Sequence, residues 1–438
     1  MRTAITLYII NSEVINMTAV GMIVEYNPFH NGHKWHLNSA KEKTGCSCVI
    51  AVMSGNYMQR GEPAMFDKWR RAHMAVLSGA DLVIELPVVS AVRSAQFFAE
   101  GGVRLLNSLG VVRHLCFGAE CADIKKLSDI AIASATPEIS SNMKTLMKKG
   151  ISYAAALAQS INKNCSISQD VIQSPNNILA IEYLKALHKF APNIQPTVIE
   201  RKHSNYHDKA IDSPFASATA IRNELLNRAI QWGHIEQAVP VTSLEVIKDI
   251  LKNNSGPVTS DSLSSIILAK LRTLSLLDIE NLPEVSEGLH NKIQECALRA
   301  ANYEDFLNLV KSKRYPRTRL QRIVIHALLG TTRKTLNKFD ESGPLYARVL
   351  AFNTQGRELL KTINQNAKIP VIIKTTDYLN SKQRSSGILS PLQAMLAIDT
   401  IASDIYVLGM PESSSKSGGW DFLRSPVYIP LPRQKQGF

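Results

Sequence analysis

The chain is short of cysteine, short of acid relative to base, and without any long apolar run. Six cysteines in 438 residues, none in a CxxC pair, exclude a disulfide scaffold and a zinc finger of the usual spacing. They point instead to reduced thiols in a cytoplasmic protein. No window approaches the ~18–20 consecutive apolar residues of a membrane span, so a membrane partner is not expected. The opening "LYII" is too short for the core of a signal peptide, and Glu13 soon follows it. Met17 stands just before the first convincing strand, so residues 1–16 read as a loose or mis-annotated extension. Asp and Glu total 37 against 50 Lys and Arg, a formal net charge of +13. Such an excess suits an anionic partner, nucleic acid above all, with a merely soluble basic protein as the alternative.

What is present is a regular alternation. "AVGMIVEY", "CVIAVMSG", "DLVIELP" and "HLCFGAE" read as buried strands, separated by stretches of helical spacing such as "FDKWRRAHMAVLSGA" and "SAQFFAEGGVRLLNSLG". Strands separated by single helices call for parallel pairing with right-handed crossovers, hence a doubly wound α/β sheet. A further unit, helix "NNILAIEYLKALHKF", strand "QPTVIER" and helix "SATAIRNELLNRAI", completes a domain over 17–235. Residues 236–344 show only helical period. A mixed α/β pattern returns over 345–438, with strands expected in "YARVLAFN" and "IPVIIKTT".

The stretch "VEYNPFHNGHKWHL", residues 24–37, places His30, His33 and His36 within seven positions. A zinc site would use the i,i+3 pair His30 and His33, but the HExxH pattern is missing and His30 falls before the helix. A phosphate site fits better. A buried strand ends near Glu25, and a turn with Pro28 and Gly32 leads into a helix whose free N–H groups and positive end face the imidazoles. Gly32 would let a phosphate approach the backbone. Surface histidines clustered by chance are the bland alternative.

His30-Asn31-Gly32-His33 after a first strand resembles the HxGH signature of the nucleotidylyltransferase superfamily. "FASATAIRNEL" (215–225) resembles its second signature, with Ser217, Thr219 and Arg222 in place. With "VMSGNYMQRGEPA", "DKWRRAHMAVLSGADLVIELP", "CFGAE", "SPNNILAIEYL", "YHD" and "KRYPRTRLQR", the chain resembles the bacterial tRNA(Met) cytidine acetate ligase family from residue 19 to about 430. That resemblance implies a Rossmann-like nucleotidyltransferase domain. It also implies an activity: acetylation of N4 of the wobble cytidine of elongator tRNA(Met), using acetate and ATP through an acetyl-adenylate.

On this reading His30 and His33 are catalytic, donating to charge that builds on the phosphates. The resemblance implies ATP contacts along Ile23, Val24, Glu25, Tyr26, Asn27, Pro28, Phe29, His30, Asn31, Gly32, His33, Lys34, Trp35 and His36. It adds Gly118, Asn177, Arg201 (or its neighbour Lys202), Ser217, Thr219 and Arg222. Asn176-Asn177 after Pro175 could equally cap a helix. Ser54, Gly55, Gln59 and Arg60 follow the second strand on the ligand edge, and Gly55 and Gly61 suggest a loop shaped for close approach. Lys68 and Arg70 could meet phosphates or coat a helix.

Residues 311–334 hold eight Lys or Arg and no acid. A one-sign run suggests phosphodiester contact, so Lys311, Lys313, Arg314, Arg317, Arg319 and Arg322 are the expected tRNA contacts, with Tyr315 as a stacking ring. ATP implies Mg²⁺, although no dedicated carboxylate cage for it is visible. Two rivals stand beside this reading. One is a nucleotidylyltransferase acting on a small phosphorylated metabolite, the other an RNA-binding protein with a relic nucleotide site. The nearest approach to an acetyl-coenzyme A loop is Arg384-Ser-Ser-Gly387-Ile-Leu389, where Leu389 occupies the place of a small residue.

Overall fold

The computed structural model describes residues 17–430 except 149–150, 152, 162–170, 173, 202–210, 212 and 287. The "YHD" motif and Lys202 therefore lie outside the described residues. β1 (Ala19–Val24), β2 (Cys48–Ser54) and β3 (Leu82–Leu86) run parallel in chain order. Helices α1 (Asn31–Thr44) and α2 (Lys68–Leu77) connect them. After α3 (Ala95–Ser108) the chain crosses to the other side of β1. There β4 (Val112–Ala119) pairs with β1. Beyond α4 (Pro175–Phe190), β5 (Gln195–Glu200) pairs with β4, again parallel.

The sheet therefore grows outward both ways from β1, and the winding reverses between β1 and β4. Ligands of such sheets bind beyond the carboxyl ends of the strands at that point. The doubly wound parallel sheet expected from the strand–helix alternation is present. β2 and β3 are buried throughout and β1 over most of its length, which is why they read as continuous apolar runs. Gly21 makes room for Leu106 of α3, whose side chain a Cβ would meet at 2.7 Å. Gly102 of α3 returns the fit, because a Cβ there would lie 2.5 Å from Ile23.

The strands after residue 345 form no sheet of their own. β6 (Ala347–Asn353) adds antiparallel to β3, and β7 (Val371–Ile372) and β8 (Val427–Ile429) each pair parallel with β6. Three short strands cannot bury two faces by themselves, whereas β3 offers a fully buried edge to extend. The longer strand expected in "IPVIIKTT" shrinks to two residues. Ile373 is exposed, and a 3₁₀ turn follows at Thr375–Asp377, since this outer strand has only β6 to hold it.

Helices including Val241–Lys252, Ser264–Thr273, Leu289–Arg299 and Arg317–Leu329 fill the region between, as their 3.6-residue period predicts. Most of them share one apolar core with Val88, Val89 and Val92 and with the helix Pro391–Val407. Cys46, Cys48, Cys116, Cys121 and Cys296 are free thiols.

Candidate active site

The chain leaves β1 through a turn that few residues tolerate. Tyr26 sits at φ 47°, in the left-handed region, and a cis Asn27–Pro28 bond follows. The turn is held from several sides. The fully buried Arg71 donates to the carbonyls of Glu25, Ser54, Gly55 and Phe66, joining the ends of β1 and β2. Asn27 accepts from Met65 N–H at 2.8 Å. Asn31 donates to the carbonyls of Gln237 and Pro214 at 2.8 and 3.2 Å. Phe29 is fully buried, and the rings of Tyr26 and Phe29 both pack on His33.

The first turn of α1 is capped by its own histidines. His30 is the N-cap, and its Nδ1 accepts from Gly32 N–H at 3.1 Å, while His33 Nδ1 accepts from His30 N–H at 3.3 Å. A ring nitrogen that accepts carries no proton, so each neutral imidazole holds its hydrogen on Nε2. The two rings stack with centroids 3.6 Å apart. Burial, with Arg201 and Arg222 nearby, pushes the pKa of His30 down to about 3. Burial, His30, Arg201 and His36 hold His33 well below the usual value as well. The pair is thus two fixed, uncharged N–H donors.

This corrects the expectation of free backbone donors at the helix start. The N–H groups of Gly32, His33 and Lys34 all bond within the turn. A Cβ on Gly32 would lie 2.9 Å from His30 Cε1, so its missing side chain accommodates the imidazole.

Beyond the ends of β1, β4 and β5 opens a cleft of about 230 Å³, lined by His30, Gly32, His33, Trp35, His36, Gly118, Ile199, Arg201, Phe215 and Ala216. Gly118 lets Arg201 cross the strand, since a Cβ there would meet Arg201 Cγ at 3.1 Å. Burial and Arg201 push His36 down to about 4, and its Nε2 lies 3.6 Å from Cys116 Sγ. Ile199, Phe215 and Ala216 were not foreseen. Apolar residues without a motif give no sequence signal of lining a site.

The helix Ala218–Leu225 (α5) opens with Ser217 as N-cap, its Oγ accepting from Ala220 N–H at 3.0 Å. Arg222 donates to Asn27 O at 2.9 Å and to Thr219 Oγ1 at 3.1 Å, clamping α5 to the histidine turn. Ser217, Thr219 and Arg222 therefore stand beside the cleft and do not line it. Lys34 is exposed on the first turn of α1, and Ile23 and Val24 belong to β1, behind the site. Asn177 is also outside the lining. It is buried, accepts from Cys121 N–H, and gives its own N–H to Glu120, so it joins the start of α4 to the end of β4.

Two glycines of the loop after β2 pack closely against protein. A Cβ on Gly55 would meet Glu85 Oε1 at 2.5 Å, and one on Gly61, at φ 83°, would meet the backbone of Arg322 at 2.4 Å. Lys68 is fully buried and bonds Glu85 and Asp421, each at 2.8 Å, and Arg348 bridges the same two acids. Arg70 pairs with Asp249. Neither meets the cleft. Arg384 pairs with Asp404 at 2.7 Å.

The basic run divides in two. Arg317 pairs with Glu304, and Arg322 makes a largely buried two-point bond to Glu284 at 2.6 and 2.7 Å. Arg319 donates to Glu284 O and Ser286 Oγ. Tyr315 is 8% exposed, part of the helical core rather than a surface ring. Lys311, Lys313 and Arg314 are exposed.

Comparison with known proteins agrees with this geometry. A family model described as HIGH Nucleotidyl Transferase matches residues 17–419. The tRNA(Met) cytidine acetate ligase of Thermoanaerobacter sp. (strain X514) is 40% identical over 417 residues, 94% of this chain and 100% of that protein. That of Acetivibrio thermocellus is 38% identical over 423 residues, with the same coverage. The apo crystal structure of Thermotoga maritima TmcAL superposes with a TM-score of 0.87 at 32% identity, covering 95% of this chain and 100% of that one. Its form bound with alpha-thio ATP gives 0.85, at the same identity and coverage. The chain belongs to the HIGH nucleotidyl transferase family and, within it, to the tRNA(Met) cytidine acetate ligases.

Proposed function

We propose that this chain activates acetate with ATP to acetyl-adenylate and transfers the acetyl group to N4 of the wobble cytidine of elongator tRNA(Met). In the first step an acetate oxygen attacks the α-phosphorus, a new P–O bond forms, and pyrophosphate leaves with the electrons of the broken one. Several anionic groups meet, so catalysis is mainly positioning and charge stabilisation.

The observation that carries the reading is the reciprocal cap, which aims two neutral Nε2–H donors from His30 and His33 while Arg201 lines the same cleft. Neutral imidazoles donate without needing a proton from solvent, and Arg201 supplies the positive charge. His30 and His33 stabilise the phosphates in transit, with Arg201 on the outer phosphates and Arg222 clamping the turn. ATP enters with Mg²⁺. That ion would offset the negative charge of the triphosphate. The exposed Lys311, Lys313 and Arg314 contact tRNA phosphates. The protein acts in the cytoplasm, in keeping with the lack, among the described residues, of any helix long and apolar enough to cross a membrane.

The test is acetate-dependent ATP–pyrophosphate exchange. The wild-type protein exchanges label only with acetate present, and His33→Ala loses about 10²–10³ in rate while still binding tRNA. Wild-type exchange by that variant would refute the assignment.

A further inference from the structure

We infer that Glu25 receives the exocyclic amine of the target cytosine and takes up its proton when the acetyl group is transferred. The inference rests on the function proposed above and concerns its second step. Glu25 follows the last residue of β1, at the carboxyl end where the sheet winding reverses. Gly21 and Ile23 face α3, as their contacts with Leu106 and Gly102 show, and Glu25 continues that two-residue alternation. The cleft lined by the histidines instead opens on the face of α1, beside Ile199 and Gly118. Glu25 is absent from its lining. The carboxylate thus stands at the same sheet edge as the nucleotide site but on the other side.

Its surroundings suit an amine. Glu25 Oε1 accepts from Gln59 N–H at 2.6 Å, and among the described residues Oε2 has no hydrogen-bond partner. Arg71 lies close, yet its donors are bonded to backbone carbonyls. Ser54 Oγ, at the matching end of β2, and Tyr183 OH of α4 are buried without partners. Tyr183 lies near enough for the Glu25 charge to act on its hydroxyl. Cytosine presents an N4 amino donor on its edge, and a carboxylate is the side chain that accepts from it.

The step balances. Cytosine N4 attacks the acetyl carbonyl carbon and a C–N bond forms. The bond from that carbon to the phosphate oxygen breaks, and AMP leaves with its electron pair. One N4 proton passes to Glu25. Burial raises the carboxyl pKa against the opposing pull of the Gln59 N–H and of Arg60, Arg71 and Arg222. A raised pKa makes the carboxylate a better proton acceptor.

The experiment uses the full chain with Glu25→Gln, which keeps an oxygen for Gln59 N–H, and with Glu25→Asp. Each is assayed for acetate-dependent exchange and for transfer to tRNA from supplied synthetic acetyl-adenylate. Glu25→Gln should slow transfer by about 10²–10⁴, far more than it slows exchange, and Glu25→Asp should recover part of the loss in transfer. Should Glu25→Gln melt early, Glu25→Asp alone carries the test, with transfer slowed more than exchange. Transfer at the wild-type rate would overturn the inference, as would an equal loss of exchange and transfer. Wild-type protein that transfers from acetyl-adenylate but shows no acetate-dependent exchange would instead overturn the reading beneath it.

Discussion

Replacing Gly32 by alanine should separate catalysis from stability. The backbone at this position is helical, so alanine fits the main chain and gains up to about 0.8–1.0 kcal/mol in helix propensity. The new Cβ, however, would lie 2.9 Å from His30 Cε1 and 3.1 Å from Nδ1. Carbon atoms settle near ~3.5–4.0 Å, so the ring must retreat by roughly 0.5–1 Å. Stacking on His33 at 3.6 Å blocks retreat in that direction. The movement weakens the Gly32 N–H bond that caps the helix, a loss of about 1 kcal/mol that offsets the propensity gain. Melting temperature should therefore change by no more than about 2–4 °C. The His30 Nε2–H moves with its ring, and a displacement near 1 Å costs on the order of 10² in rate. The assay is pyrophosphate exchange beside a thermal melt. Wild-type exchange would show that the histidine cap does not aim the catalytic donor.

His30→Asn keeps a side-chain acceptor at the N-cap but removes the Nε2–H, so exchange should fall about 10²–10³ with little change in melting temperature; equal exchange would refute the donor role. His30, His33, His36 and His326 all have depressed folded pKa values, each chiefly from burial. The unfolded chain then binds more protons below about pH 6.5, so stability is complete above that pH and falls toward pH 4 by up to about 1.4 kcal/mol per unit per histidine. Urea unfolding at pH 7.5 and 5.5 checks this, and equal midpoints would contradict it. Arg322→Ala leaves Glu284 without its partner and should destabilise by about 3 kcal/mol. Replacing Lys311, Lys313 and Arg314 together should lower the salt slope of tRNA binding by about 0.7–0.9 per lost phosphate contact. An unchanged slope would place the RNA elsewhere.

The parallel strands were legible because burial on both faces makes them continuous apolar runs, as in "CVIAVMS". The HNGH turn was legible because its function lies in adjacent residues. Pairing between distant segments left no such trace. Nothing in "ARVLAFN" says that it runs antiparallel to β3, and Lys68, Glu85, Arg348 and Asp421 share no local pattern. The ion-pair partners of the basic run were hidden for the same reason. The acids that engage Arg317 and Arg322 are Glu304 and Glu284, both outside the run. Asn177 was ambiguous because capping and ligand contact ask for the same side chain, and its bond to Cys121 N–H, made to a residue 56 positions away, had no local signal.

The most direct measurement of the central claim offers labelled acetate and labelled acetyl-coenzyme A, each with and without ATP, to the purified protein with elongator tRNA(Met), followed by nucleoside mass analysis. Label should appear as N4-acetylcytidine at the wobble position from acetate plus ATP, with AMP and pyrophosphate released. Label entering the tRNA from the coenzyme A thioester without ATP, or none entering from acetate with ATP, would contradict the account.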